Sequence, residues 1–199
     1  MRHDPLRVLR HLFTDRSYER YYSPVGWDDM WATGYTLEDV KEDGRYGALV
    51  TLMCRHAAGG PILDAGCGDG LLEAKFRAVS AARVLGIDYS HEAVAQAKTR
   101  NIPDCAFVQG DYREFRADEP FPLIVLNESL YYVADAPGVM TSLTRWLTPD
   151  GVFIVSMFES RVTRRIWRAL ARGHVSVQGV EIRDEGARRR WHLRVLRTR

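Results

Sequence analysis

The residues best suited to chemistry in this chain stand at the ends of apolar runs. Ile62-Leu63 leads into Asp64-Ala65-Gly66-Cys67-Gly68-Asp69-Gly70. Val84-Leu85-Gly86-Ile87 ends in Asp88, and Cys105-Ala106-Phe107-Val108-Gln109 is followed by Gly110-Asp111-Tyr112. Leu123-Ile124-Val125-Leu126 runs into Asn127-Glu128. Three alternate glycines leave one side of a turn bare, so a ligand can approach the backbone, and glycine accepts the positive φ such a turn needs. The spacing is G-x-G-x-G, not the G-x-G-x-x-G of dinucleotide sites. Asp88, about twenty residues on, is placed to accept hydrogen bonds from two ribose hydroxyls. An ionised carboxylate suits that task because it only accepts. The competing reading of Asp88 is a cap on the helix that starts at Ser90, but Ser90 is the better cap. For Asp111 the competing reading is an ordinary turn aspartate.

These ends have to be held by alternating strands and helices. The pattern predicts strand 62–65, helix 71–79, strand 83–88, helix 90–100 and strand 105–109. A connection carrying Pro120 and Pro122 leads to strand 123–127, then a helix over 136–147 stopped by Thr148-Pro149-Asp150-Gly151. Strand 152–157, a helix over 159–172 and two strands, 175–182 and 191–196, close the chain. The continuous apolar run at 123–126 reads as a strand covered on both faces. Alternating βα units imply an α/β, doubly wound, mostly parallel sheet, here of seven strands, with a C-terminal antiparallel hairpin. Before it, residues 1–35 are dense in aromatics. A helix over 36–56 follows, opened by Thr36-Leu37-Glu38-Asp39 and ended by Gly59-Gly60-Pro61.

The acid-G-x-G-x-G turn, Asp88, Asp111 and the Asn127–Val133 segment occur in the order found in the class I S-adenosylmethionine (SAM)-dependent methyltransferases, which this chain resembles over residues 45–197. The resemblance implies that SAM is the cofactor and S-adenosylhomocysteine the product. It places Asp64, Gly66, Cys67, Gly68, Gly70, Asp88, Tyr89, Asp111, Tyr112 and Asn127 around the donor, with Asp111 accepting from the adenine amino group. Arg45 or Tyr46 would reach the donor's carboxylate. Glu128 becomes the polar group beside the methyl, as a base or an ammonium anchor, with Tyr131 and Tyr132 beside it. Tyr22, Trp27, Trp31 and Tyr35 become walls of the acceptor pocket on a lid formed by residues 1–35, over a core of 36–199; the competing reading is that they only anchor that segment. Leu123–Val133 resembles nodulation-type N-methyltransferases, which favours an amine or hydroxyl on a sugar-like or natural-product acceptor.

The bulk properties set outer limits. A length of 199 residues reads as a single domain, and 46% apolar with 27% charged residues is ordinary for a globular protein. No apolar run approaches a membrane span, and Met1-Arg2-His3-Asp4-Pro5 lacks a signal-peptide centre, so the expectation is a cytoplasmic protein with no membrane partner. Cys54, Cys67 and Cys105 form no C-x-x-C pair, and no metal is expected. From Arg161 on, twelve arginines face three acids, Glu181, Asp184 and Glu185. That segment is +9, and the remainder about −7, in a chain of +2. It reads as a solvated face and an exposed edge rather than a nucleic-acid patch, because no aromatics interleave it. Asn127-Glu128-Ser129-Leu130 is not the Asn/Asp-Pro-Pro-Tyr/Phe signature of amino-methylating nucleic-acid enzymes, so a small-molecule acceptor is the first reading. A nucleic-acid methyltransferase and a SAM-binding regulator without turnover are the alternatives.

Overall fold

The computed structural model describes residues 24–32, 43–184 and 189–199. Its elements are α1 (Pro24–Ala32), α2 (Asp43–His56), β1 (Ile62–Ala65), α3 (Leu71–Arg77), β2 (Val84–Asp88), α4 (His91–Thr99), β3 (Cys105–Gln109), β4 (Phe121–Asn127), a 3-10 turn (Leu130–Tyr132), α5 (Ala136–Thr144), β5 (Leu147–Phe158), α6 (Arg161–Leu170), β6 (His174–Asp184) and β7 (Arg189–Thr198). The strands form one seven-stranded sheet in the order β3-β2-β1-β4-β5-β7-β6. Strands β1 to β5 run parallel, and β7 is antiparallel to both β5 and β6. The doubly wound sheet with its terminal hairpin is therefore the observed fold.

The central strands have no exposed face. Leu123, Ile124, Val125 and Leu126 of β4 are fully buried, alternating between two cores. One core joins Leu63, Ile124 and Leu126 to Val139, Met140 and Leu143 of α5 and Trp167 and Leu170 of α6. The other joins Ile62, Leu123 and Val125 to Leu49 and Met53 of α2 and Leu72 and Phe76 of α3. Each such large apolar side chain contributes about 1.5–3 kcal/mol on burial.

The helices start where their caps dictate. Ser90 accepts from the Ala93 N–H at 3.1 Å and opens α4. Ser160 and Thr163 form a reciprocal capping box at α6. One expectation fails in detail. Helix α5 ends at Thr144, and Thr148-Pro149-Asp150-Gly151 lies inside β5. Leu147 pairs with Phe121 and Val152 with Leu123, so the turn residues form an irregularity across which the β4–β5 ladder resumes.

Candidate active site

The carboxyl ends of β1, β2, β3 and β4 lie side by side, as the sheet order requires. The turn after β1 carries positive φ at Gly66 (91°), Gly68 (57°) and Gly70 (77°). Its amides are spent on the neighbouring strand. Gly66 and Cys67 both donate to the Ile87 carbonyl, at 2.7 and 3.1 Å, and Gly68 donates to Asp88 Oδ2 at 2.8 Å. Ser90 N–H donates to Asp88 Oδ1 at 2.9 Å. Burial pushes the Asp88 carboxyl up, and the amides of Ser90, Gly68 and Tyr89 oppose that rise.

The bare side of the turn serves the protein as well as any ligand. A Cβ on Gly66 would sit 2.4 Å from Ser129 Cβ, and one on Gly70 would sit 3.0 Å from Phe107 Cζ. Ser129 lies so close because its hydroxyl donates to the Ala65 carbonyl at 2.6 Å. Cys67 is buried with Val94, Ala97 and Phe107. Burial, then the charges of Glu73, Asp88 and Asp64, hold its thiol above its usual range. It is a protonated filler between two turn glycines.

Two residues of the turn region were not singled out from sequence. Asp69 is buried; it accepts from Leu71 N–H at 3.2 Å and pairs with Arg100 at 2.8 Å, while Arg100 Nε also donates to its carbonyl. This ties the turn to the far end of α4. Glu73 is fully buried in α3, and neither carboxyl oxygen has a geometric hydrogen-bond partner; Asp64 Oδ1 likewise has none. Burial pushes the Asp64 carboxyl up to about 7, with the neighbouring Glu73 opposing the rise and Asp88 adding to it. Burial and the Asp64 charge push Glu73 well up. Both buried carboxyls therefore hold a proton more readily than a free carboxylate does.

At the end of β3, Asp111 is held by Arg113. The Arg113 amide and Nε donate at 2.8 Å, and its guanidinium closes a salt bridge on Oδ2. Burial alone would raise the Asp111 carboxyl, and these bonds outweigh it, leaving it below its usual range. Tyr112 is pushed up by burial and by the Asp111 and Asp88 charges, and its hydroxyl lies within reach of Ser129. Tyr89, following Asp88, is half-buried near Arg113.

At the end of β4, Asn127 Oδ1 accepts from Arg45 of α2, a residue 4% exposed whose guanidinium lies 4.6 Å from the Tyr46 ring. Tyr46 is itself fully buried. Glu128 adopts φ 55°, a left-handed backbone rare for glutamate. Its carboxylate accepts from Ser156 Oγ at 2.7 Å, from Phe158 N–H at 3.0 Å and from Tyr131 Oη at 3.0 Å. Burial, then the Glu128 charge, hold the Tyr131 hydroxyl well above its usual range, so it stays protonated and donates.

The aromatic groups converge on this point. Tyr131 and Tyr132 rings are 4.4 Å apart, and Trp27 of α1 meets Tyr132 edge-on at 4.8 Å. Trp31 is 5% exposed and so packs inward, its carbonyl accepting from Gln96 at 3.1 Å. Asp28, between them, accepts from Ser90 Oγ at 2.5 Å and from Glu92 N–H at 3.2 Å. Helix α1 thus stands over the start of α4, two residues from Asp88. Tyr22 and Tyr35, expected beside these rings, lie outside the described residues. Among the described residues, no cluster of three or more His, Cys, Asp or Glu side chains is arranged to hold a metal, and no helix is long and apolar enough to cross a membrane.

A seven-stranded sheet whose last strand in sequence, β7, runs antiparallel between β5 and β6, with a glycine turn after β1 and an acid at the end of β2, defines the Rossmann-like methyltransferase class. Residues 56–183 match the family described as "Methyltransferase domain", and the chain belongs to that family. It is 38% identical over 97 residues to trans-aconitate 2-methyltransferase of Yersinia pestis (strain Pestoides F), a match covering 48% of this chain and 37% of that protein. The corresponding protein of Escherichia coli O139:H28 (strain E24377A / ETEC) is 36% identical over 100 residues, 48% of this chain and 38% of that one. The matches thus span under two fifths of the length of these curated relatives. Among solved structures, the N-methyltransferase NodS of Bradyrhizobium japonicum WM9, with S-adenosyl-L-homocysteine, superposes with a TM-score of 0.65 at 20% identity, covering 97% of both chains. The glycopeptide N-methyltransferase MtfA with sinefungin gives 0.67 at 18% identity, over 77% of this chain and 86% of that one. At these identities the likeness is one of fold.

Proposed function

We propose that this protein is a SAM-dependent methyltransferase that transfers a methyl group to nitrogen or oxygen of a small molecule with a sugar-like or natural-product framework. The observation that carries the reading is the Gly68–Asp88 contact. It puts a glycine turn and a half-buried carboxylate on adjacent strand ends, with Asp64, Asp111 and Asn127 on the same edge of the sheet. The site's chemistry fits the donor. Asp88 has acceptor capacity left beyond two amides, enough for a ribose diol. The buried, orphaned Asp64 Oδ1 suits a cationic amino group, and the Arg45 guanidinium beside Asn127 suits a carboxylate. Both charges belong to the methionine part of SAM.

SAM, when bound, supplies a methyl group already activated on a sulfonium. The chain's own residues then have to hold the acceptor, exclude water and take a proton. Positioning alone can supply several kcal/mol of such a barrier. The Glu128–Tyr131 pair offers the proton path. Tyr131 donates to Glu128 and stands beside Tyr132, so a hydroxyl chain leads from the aromatic pair to the carboxylate. A proton passing to Tyr131 is matched by one passing on to Glu128. Tyr132 and Trp27 close the apolar side.

Isothermal titration with SAM and S-adenosylhomocysteine, followed by methyl transfer assays on amino sugars, hydroxylated natural products and trans-aconitate, tests the proposal. Product formed from an amine or hydroxyl acceptor is expected. Turnover of trans-aconitate alone would move the acceptor class to carboxylic acids. Tight donor binding with no turnover on any acceptor would favour a regulatory SAM-binding role.

A further inference from the structure

The arginines of the C-terminal segment are not scattered. Helix α6 carries Arg161, Arg164, Arg165 and Arg168, all exposed, and Arg172 follows in the turn that closes it. At 3.6 residues per turn, the four helical arginines fall within an arc of roughly 100°. Arg172 continues their line, giving a straight row about 16 Å long at ~1.5 Å per residue. The opposite face holds Trp167 and Leu170 in the core. The backbone of Arg199 reaches the end of this segment, its amide donating to the Gly173 carbonyl at 3.1 Å.

This row works against the helix that bears it. Arg161 and Arg165, Arg164 and Arg168, and Arg168 and Arg172 are like charges four residues apart, a spacing that disfavours the helix. Arg161 and Arg164 also lie in the first turn, where the helix dipole favours acids, and that turn has none. Among the described residues, Arg164 reaches Glu159 only at 4.0 Å, and no carboxylate pairs with Arg161, Arg165, Arg168 or Arg172. A merely solvated face would be more stable with alternating signs.

We infer that the exposed face of α6, from Arg161 to Arg172, is a docking surface for the phosphate backbone of a nucleic-acid duplex. Three features select this partner among polyanions. The row is all arginine, whose planar fork matches phosphate oxygens. The exposed arc holds no apolar residue, so a bilayer would gain no insertion, and a protein partner would find no apolar centre of the kind interfaces use. Its length of about 16 Å can lie along a duplex whose two strands together carry a phosphate every ~1.7 Å of axis. Without aromatics to stack on bases, recognition is of the backbone and independent of sequence. The inference does not depend on the proposed methyl transfer.

The test is fluorescence anisotropy of the full chain with DNA and RNA duplexes of about 30 base pairs, at NaCl from about 50 to 200 mM. Wild-type binding should weaken steeply with salt. Arg165→Glu/Arg168→Glu/Arg172→Glu should lose at least about tenfold in affinity, with a salt slope lower by about 0.9 for each phosphate contact removed. An equal change of charge elsewhere, Arg83→Glu/Lys98→Glu/Arg116→Glu, should lose far less. S-adenosylhomocysteine affinity, measured in parallel, should be the same in all three proteins. Absence of duplex binding at low salt, equal loss in both triple variants, or binding to phosphatidylserine vesicles without binding to duplexes would each overturn the inference. If the reversed variant does not fold, Arg165→Gln/Arg168→Gln supplies the answer. It should raise the melting temperature at low salt, through lost repulsion, while weakening the duplex complex; a lowered melting temperature with unchanged duplex binding would refute the argument.

Discussion

The Gly68 amide donates to Asp88 Oδ2 across 2.8 Å, joining two residues twenty positions apart in sequence. The contact fixes where the Asp88 carboxylate stands relative to the turn. Asp88→Ala removes the acceptors proposed for the donor's ribose and also the turn's anchor. Donor binding should weaken by about 1–3 kcal/mol, the range for a lost hydrogen bond to a charged group. Calorimetry with S-adenosylhomocysteine measures it, and unchanged affinity in a folded variant would remove Asp88 from the ribose role.

Glu128 and Tyr131 should fail in distinguishable ways. Glu128→Gln keeps the size but removes the charge proposed to take the proton. Turnover with an amine or hydroxyl acceptor should fall by about 10²-fold or more, with SAM affinity little changed. Tyr131→Phe removes the hydroxyl proposed to meet the acceptor but leaves Glu128 with the Ser156 and Phe158 donors. A carboxylic acid acceptor, already ionised, should be spared by both changes. Normal turnover of amine and hydroxyl acceptors in Glu128→Gln would leave only proximity to account for catalysis.

The buried Asp64–Glu73 pair predicts a particular pH dependence of stability. Asp64 is raised to about 7 in the folded protein, above its ordinary 3.8, so the folded state holds a proton that the unfolded chain releases. Its contribution is complete below about pH 4 and is lost as pH rises through about 7. Glu73→Gln keeps a donor for Asp64 and removes the second acid. Thermal melts across this range should show a shallower decline than in wild type. Parallel curves for the two proteins would mean that the pair does not share a proton.

Asp28 should hold α1 down. It is the acceptor for both Ser90 Oγ and the Glu92 amide, so Asp28→Ala leaves these donors to water. Amides of residues 24–32 should exchange faster with solvent, while β1 and β4 keep their protection. In wild type, S-adenosylhomocysteine with an acceptor should slow exchange in 24–32 if the helix closes over the site. Equal exchange with and without ligand would make α1 a fixed anchor.

The fold was legible because its signals are local. Each parallel strand is a short apolar run, and each turn carries glycine, proline or an acid. The irregularity at Thr148–Gly151 was not, because Pro149 and Gly151 announce a break but cannot say that the chain rejoins the same ladder beyond it. The site was legible as far as residues at strand ends. Asp88, Asp111 and Glu128 could be named, but their partners could not. Arg113 claims Asp111, and Ser156 and Phe158 reach Glu128 from about thirty residues away. Glu73 looks like an exposed helical acid in Leu71-Leu72-Glu73-Ala74, and only tertiary packing, with α2 beside α3, buries it.

Ser129 fills the volume that Gly66 leaves, and the two positions share a single side chain's worth of space. The exchange is not symmetric. Position 66 cannot take the side chain instead, because φ 91° admits little but glycine there. Position 129 can shrink to glycine or alanine, losing the bond to Ala65, but cannot grow. Evolution of this turn therefore has one direction of freedom. Homologues should vary at the residue after Glu128, always among small side chains, while holding glycine at the turn.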